Sequence, residues 1–273
     1  MADDTYAARV TDHYAPADLV ATFLGVLRSR GQEAGPLTPE ELAPLDQFHI
    51  GGRDATLALA RLAAVTAADR VLDVGGGFGG PARTLAAAFG CAVTVLDLTA
   101  AYCQVGESLT ARCGLADRVG FRCGDALAAP FPDASFDLVW TQHASMNIAD
   151  KRGLYTAIAR LLRPGGRLAL YEIMAGPEQP PHYPVPWARD PAISFLLPPA
   201  DARALLADLG FREERWEDLT PTRAAAPGAT APATPPSALH LVLGDDFLER
   251  ARNLGRNFAE GRTALIRAVL TRP

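Results

Sequence analysis

The sequence predicts a doubly wound α/β fold with a mainly parallel sheet, and three observations predict it. Between Val71 and Met174, short apolar, β-branched runs alternate with alanine- and leucine-rich helical runs. A run of glycines, Gly75-Gly76-Gly77-Phe78-Gly79-Gly80, joins the first strand to the first helix. An acid, Asp97, ends the second strand. Alternation at this spacing gives parallel strands joined by crossover helices that cover both faces of the sheet. A chain of 273 residues can bury the core of one such domain and carry further helices.

The elements follow in order. A helical prelude, about Ala17–Arg30 and Ala55–Ala64, is joined by a Gly/Pro-rich link at Gly31–Pro39 and forms an N-terminal cap over residues 1–64. The strands expected next are Val71–Val74, Ala92–Leu96, Val119–Cys123, Phe136–Thr141 and Arg167–Met174. Helices are expected at Pro81–Phe89, Ala101–Cys113 and Lys151–Leu162. Pro81 suits a first helical turn, where its missing N–H is no loss. Arg163-Pro164-Gly165-Gly166 closes the helix ahead of the fifth strand. A proline-dense segment at Pro177–Pro199 reads as a lid insertion over about 175–200. A helix at Ala200–Leu209 and a strand at Phe211–Leu219 follow it. The Ala/Pro/Thr tract over about 220–237 has too little apolar surface to pack and reads as an extended loop. A helix at Asp246–Phe258 and an apolar run at Thr263–Leu270 complete residues 65–273, with one structural domain expected overall.

Composition narrows the function. Apolar residues make up 49% and charged residues 21% of the chain, as in ordinary globular proteins. A net charge of -5 argues against nucleic acid as a partner, since phosphate binding favours a basic surface. Arginine is abundant and Lys151 is the single lysine, which suggests a GC-rich bacterial genome. Cys91, Cys103, Cys113 and Cys123 form no C-x-x-C pair and read as reduced thiols of a cytoplasmic protein. The five histidines are dispersed, so no metal site is expected. No signal peptide or membrane span is expected either.

The glycine turn allows close approach of a cofactor, and the helix after it presents oriented N–H groups. Gly75-x-Gly77-x-x-Gly80 alone fits a dinucleotide site equally well, and Asp97 suits ribose hydroxyls in either case. Asp73 separates the two readings. It lies inside the first strand, two residues before the first glycine, where a buried carboxylate suits a cationic amino group and is wasted beside a pyrophosphate.

With Asp73 in place the chain resembles the class I S-adenosylmethionine (SAM)-dependent methyltransferases. The resemblance runs over Val71–Gly176 and includes Gly124-Asp125-Ala126 after the third strand. Phe131–Trp140 and Leu161–Leu168 resemble that family's approaches to the fourth and fifth strands. It implies a seven-stranded sheet in which Thr263–Leu270 runs antiparallel between the fifth strand and Phe211–Leu219. It also implies SAM as cofactor and S-adenosylhomocysteine (SAH) as product. Cofactor contacts are expected from Asp73, Gly75, Gly77, Gly79, Asp97, Leu98, Asp125, Ala126 and Gln142. The alternative for Asp125 is a turn residue bonding its own backbone.

Within that superfamily the pattern is most similar to the sarcosine/dimethylglycine N-methyltransferase-like and quinone C-methyltransferase-like branch. Gly79–Arg83 and Asp46–Arg53 carry this similarity. The stretch Thr141–Ile148 leaves the carboxyl end of the fourth strand, where open α/β sheets bind ligands. His143 is its one ionisable group suited to proton removal near neutrality. The alternative is a histidine that bonds cofactor or loop backbone without moving a proton. The sarcosine/dimethylglycine enzymes look acidic at this position, so amine acceptors are not carried over.

The acceptor is expected to be a small molecule methylated at O, N or C. Met146, Asn147, Tyr183, Trp187 and Arg189 are candidate contacts, with Arg53 a second candidate for a carboxylate. The sequence does not fix the oligomeric state, and a homodimer is among the assemblies it allows. Two other functions stay open: a nicotinamide-dependent oxidoreductase, and a SAM-binding protein that transfers no methyl.

Overall fold

The computed structural model describes residues 4–14, 19–220, 240 and 246–272. Seven strands are present: β1 (Arg70–Val74), β2 (Ala92–Asp97), β3 (Val119–Cys123), β4 (Phe136–Gln142), β5 (Leu162–Ala175), β6 (Arg212–Asp218) and β7 (Thr263–Thr271). The helices are α1 (Asp4–Tyr14), α2 (Leu19–Ser29), α3 (Pro39–Asp46), α4 (Gly52–Leu62), α5 (Gly80–Phe89), α6 (Ala100–Arg112), α7 (Lys151–Leu161), α8 (Pro199–Asp208) and α9 (Phe247–Ala259). The sheet order is β3-β2-β1-β4-β5-β7-β6. Strands β1 to β5 are parallel, and β7 runs antiparallel to both of its neighbours, pairing Ala169 with Val269 and Trp216 with Ala268. This is the reversed seventh strand that the resemblance implied.

The core sits on both faces of the sheet because side chains alternate along each strand. Val71, Leu138 and Trp140 point into the layer shared with α4 and α5. Leu72, Val74 and Val139 point the other way, into the layer shared with α7 and α8. The edge strand β6 is largely exposed and charged (Arg-Glu-Glu-Arg), a pattern that discourages pairing with another chain. A third cluster joins Phe23, Leu27, Leu42 and Leu45 of the N-terminal helices to Phe78 and Tyr102 beside the glycine turn. There Arg83 and Asp46, both fully buried, pair at 2.7 Å and tie α3 to α5.

Three elements depart from the expectations. Helix α3 was not expected, although Thr38-Pro39-Glu40-Glu41 carries a complete capping box, with Thr38 and Glu41 each accepting from the other's backbone N–H. Helix α1 lies ahead of the expected prelude. Strand β5 begins at Leu162, five residues early. Leu162 pairs with Phe136 across a bulge, and the Gly165 N–H donates to the Arg272 carbonyl at 2.8 Å. The Pro-Gly-Gly turn is thereby absorbed into an irregular strand start. The Ala/Pro/Thr tract lies outside the described residues apart from Thr220.

Candidate active site

A cleft of about 720 Å³ opens at the carboxyl ends of β1, β2 and β4, under α1, α9 and the loop before α4. Its floor is the glycine turn. Gly75 has φ +70, and a Cβ there would lie 2.5 Å from Ala144 Cβ, so only glycine lets β1 and the loop after β4 meet. Gly77 lines the cleft and its N–H donates to Asp97 Oδ2 at 2.9 Å. Gly79, expected among the cofactor contacts, does not reach the cleft. It starts α5 in a left-handed conformation, and a Cβ there would strike the Phe121 ring at 2.6 Å. Its glycine serves packing between α5 and β3.

Asp73 is 1% exposed, and its Oδ2 is buried without a hydrogen-bond partner. Burial first, and the nearby Asp97 carboxylate second, raise its carboxyl to about 8. A buried polar atom left unpaired is costly, so this one marks a place for a donor. A cationic amino group meets that requirement, and the residues present therefore fit the amino-acid end of SAM.

Asp97 accepts from the N–H groups of Gly77 and Thr99 at 2.9 Å each, which aims its carboxylate along the cleft wall; burial raises its pKa. Asp125 both lines the cleft and accepts from Leu127 N–H at 2.9 Å, the turn bond that was its alternative reading. Leu98 and Ala126 complete this wall. Asp97→Ala is expected to weaken SAM binding roughly ten- to hundredfold in titration, since a hydrogen bond to a charged group is worth about 1.5–3 kcal/mol.

His143 stands where β4 ends, at φ +53, a conformation rare for residues with a side chain. Both its N–H and Nδ1 lie 2.9 Å from the Tyr171 carbonyl. A carbonyl only accepts, so Nδ1 carries the proton and the lone pair is on Nε2. That nitrogen accepts from Ile50 N–H at 3.4 Å, a long bond, and the ring packs between those of Tyr171 and His49.

The turn after His143 is clamped from below. Glu172, fully buried in β5, accepts from Thr141 Oγ1 and from the N–H groups of Ala144 and Ser145 at 3.4 and 3.3 Å. Lys151 Nζ donates to the Ile148 carbonyl at 2.6 Å and also to that of Ser145. Burial lowers Lys151 to about 8 and raises Glu172. Neither residue was singled out in the sequence.

The remaining expected contacts divide. Met146 and Trp187 line the cleft, the indole N–H turned away to Ser194 Oγ at 2.9 Å. Asn147 also lines it, but its amide is occupied by tethers. It donates to the carbonyls of Trp187 and Ile193 at 2.9 and 2.7 Å and accepts from Tyr14 O–H at 2.8 Å. Asn147→Ala should therefore cost about 2 kcal/mol of stability in urea unfolding, because it strands partners in a buried site.

Gln142 lines the cleft while accepting from Trp140 Nε1 and Thr56 Oγ1, so it ties the end of β4 to α4. Tyr183 and Arg189 are not cleft residues. Tyr183 packs against the core that Val185, Trp187 and Ile193 share with the sheet, beside Ser194, and Arg189 is 63% exposed and paired with Asp246 at 2.9 Å. Arg53 does line the cleft, paired with Glu40.

Sequence reasoning assigned no role to Tyr14, to Phe48 and His49, or to Phe247, Ala251 and Leu254 of α9, all of which line the cleft. The last three recur at i, i+4 and i+7, a one-face signal present in the sequence. His49 is buried, donates from Nε2 to Gln47 Oε1 at 2.9 Å, and is lowered by burial to about 4, so it stays neutral. Among the described residues no cluster of three or more His, Cys, Asp or Glu is placed to hold a metal ion.

Residues 72–170 match the family described as "Methyltransferase domain". A sterol 24-C-methyltransferase of Eremothecium gossypii is 41% identical over 114 residues, 42% of this chain and 31% of that protein. A glycine/sarcosine/dimethylglycine N-methyltransferase of Actinopolyspora halophila is 30% identical over 151 residues, 55% of this chain and 27% of that protein. The chain spans less than half the length of these relatives. The fold is that of the geranyl diphosphate C-methyltransferase of Streptomyces coelicolor A3(2), with a TM-score of 0.68 at 19% identity over 100% of this chain and 99% of that one. Sheet order, glycine turn, strand-end acids and the domain match agree. Residues 72–170 carry a methyltransferase domain, and the chain is similar in sequence and in fold to SAM-dependent methyltransferases.

Proposed function

We propose that the protein transfers the methyl group of SAM to a small-molecule acceptor, with His143 as the proton acceptor. The observation that carries this reading is that a single cleft holds both the unpaired Asp73 Oδ2 and the lone-pair nitrogen of His143. Asp73 would bind the amino group of SAM, Asp97 the ribose hydroxyls, and Asp125 with Leu98 and Ala126 the adenine. Bound there, SAM supplies an electrophilic methyl group and leaves as SAH.

The chain's own contribution is orientation and exclusion of water. The acids fix the donor at one end of the cleft. The Glu172–Lys151 clamp holds His143 at the boundary between the two halves, and α1, α9 and the lid cover the other end. The nicotinamide reading loses ground on Asp73, since a carboxylate there would face a pyrophosphate.

Calorimetry with SAM and NADPH, followed by SAH detection in the presence of a metabolite extract, tests the proposal. SAM binding and acceptor-dependent SAH are the expected results. Binding of NADPH in preference to SAM would overturn it, and SAM binding with no SAH would favour a non-methylating role.

A further inference from the structure

From the acceptor half of the cleft we infer the acceptor's chemical class: an uncharged molecule with an apolar body, methylated at a hydroxyl oxygen. The inference rests on the methyl-transfer reading above and adds the substrate to it.

The wall opposite the acids is apolar. Val10 of α1, Ile173 of β5, Trp187 of the lid and Phe247 and Leu254 of α9 converge there with Met146. Polar groups on this wall are engaged with the protein itself. The Tyr14 hydroxyl donates to Asn147 Oδ1, the Asn147 amide to two backbone carbonyls, and the Trp187 N–H to Ser194. An acceptor with several polar groups would leave water there with little returned.

Charge is accounted for in the same way. Of the charged side chains lining the cleft, Asp73, Asp97 and Asp125 sit at the strand ends of the cofactor half, Asp46 pairs with Arg83, and Arg53 pairs with Glu40. Arg250 and Arg189 both pair with Asp246, and neither lines the cleft. Among the described residues, then, no carboxylate on this wall would hold a cationic amine or stabilise a carbocation, and no cation there would hold an anionic acceptor. Burying an unpaired ion in such a chamber is strongly unfavourable.

What the wall does offer is His143, whose tautomer is set by the Tyr171 carbonyl. An alcohol or phenol needs that base to free its oxygen for attack; an alkene would instead form a carbocation, which this wall has no carboxylate to stabilise. In the step this implies, the acceptor oxygen forms the new C–O bond as the methyl–sulfur bond breaks. The sulfonium becomes the neutral thioether of SAH. The hydroxyl proton passes to His143 Nε2 and from there to water, so charge and atoms balance.

The test uses the full chain loaded with SAH and three probes that share one octylphenyl body: 4-octylphenol, 4-octylbenzylammonium and 4-octylbenzoate, compared by calorimetry at pH 7.5. The phenol is expected to bind at least tenfold tighter than either ion. With SAM carrying a labelled methyl, the label is expected on the phenol oxygen, recovered as 4-octylanisole. Equal or tighter binding of either ion overturns the inference and leaves methyl transfer standing. So does label on a ring carbon, or no anisole from protein that binds both SAM and the phenol. Protein that binds no SAM overturns the proposed function instead, so the two failures are distinguishable.

Discussion

Replacing His143 with alanine should lower kcat by about 10² to 10⁴ while SAM affinity stays near that of the unchanged protein, the span usual for loss of a general base. The structure sharpens the reason. The Tyr171 carbonyl fixes the proton on Nδ1 and leaves Nε2 as the basic atom, which the Ile50 N–H meets at 3.4 Å. His143 has φ +53, where alanine is strained and asparagine is tolerated, so His143→Asn is the companion that removes the base and keeps the turn. Single-turnover rates against pH are the measurement. In either variant the rate should climb about tenfold per pH unit below the acceptor's own pKa, as the acceptor ionises without help. An acceptor already ionised in solution should lose only a few-fold. Weakened SAM binding with an unchanged chemical step would make His143 a cofactor contact.

Replacing Asp73 with asparagine should weaken SAM binding by roughly 2–5 kcal/mol, about thirty- to several-thousandfold, the usual cost of removing one partner from a buried charge pair. The same variant should be more stable than the unchanged protein at alkaline pH without cofactor. The sign follows from the carboxyl, which burial and Asp97 raise from 3.8 to about 8 in the folded chain. A folded value above the unfolded one contributes stability that is complete below the unfolded value and lost as pH rises through the folded one. Without cofactor, the protein should therefore lose stability between pH 4 and 8, and Asp73→Asn should flatten that slope in thermal melts. A cationic cofactor group beside Asp73 drives the proton off, so SAM binding near pH 6.5 should release about one proton. Calorimetry in buffers of different ionisation enthalpy reads that number directly. Unchanged SAM affinity in Asp73→Asn would reassign the carboxylate to the loop.

These two residues were legible before any fold was known, for different reasons. Asp73 stands out because a charge inside a strand is expensive and its spacing to Gly75 is fixed by the turn. His143 stands out because it is the one basic group in a short polar stretch at a strand's carboxyl end. What supports them was not legible. Glu172 reads as one polar residue in an apolar strand, and Lys151 as the first residue of a surface helix. They act together only because β5 lies beside β4 and α7 starts beneath the turn.

The sequence by itself determined the strand–helix alternation, the glycine turn, the acids at the strand ends and the histidine after β4. Each of these is a local requirement of backbone geometry or charge, and local requirements are written at fixed spacing. The tertiary structure alone decided the acceptor chamber. Its wall is assembled from α1, β5, the lid and α9, elements more than two hundred residues apart at the extremes, and a residue's place on it depends on how those elements pack. Tyr183, Trp187 and Arg189 illustrate the point. All three lie within seven residues of one lid, yet only the indole lines the cleft, because Tyr183 packs against the core shared with the sheet and Arg189 pairs with Asp246.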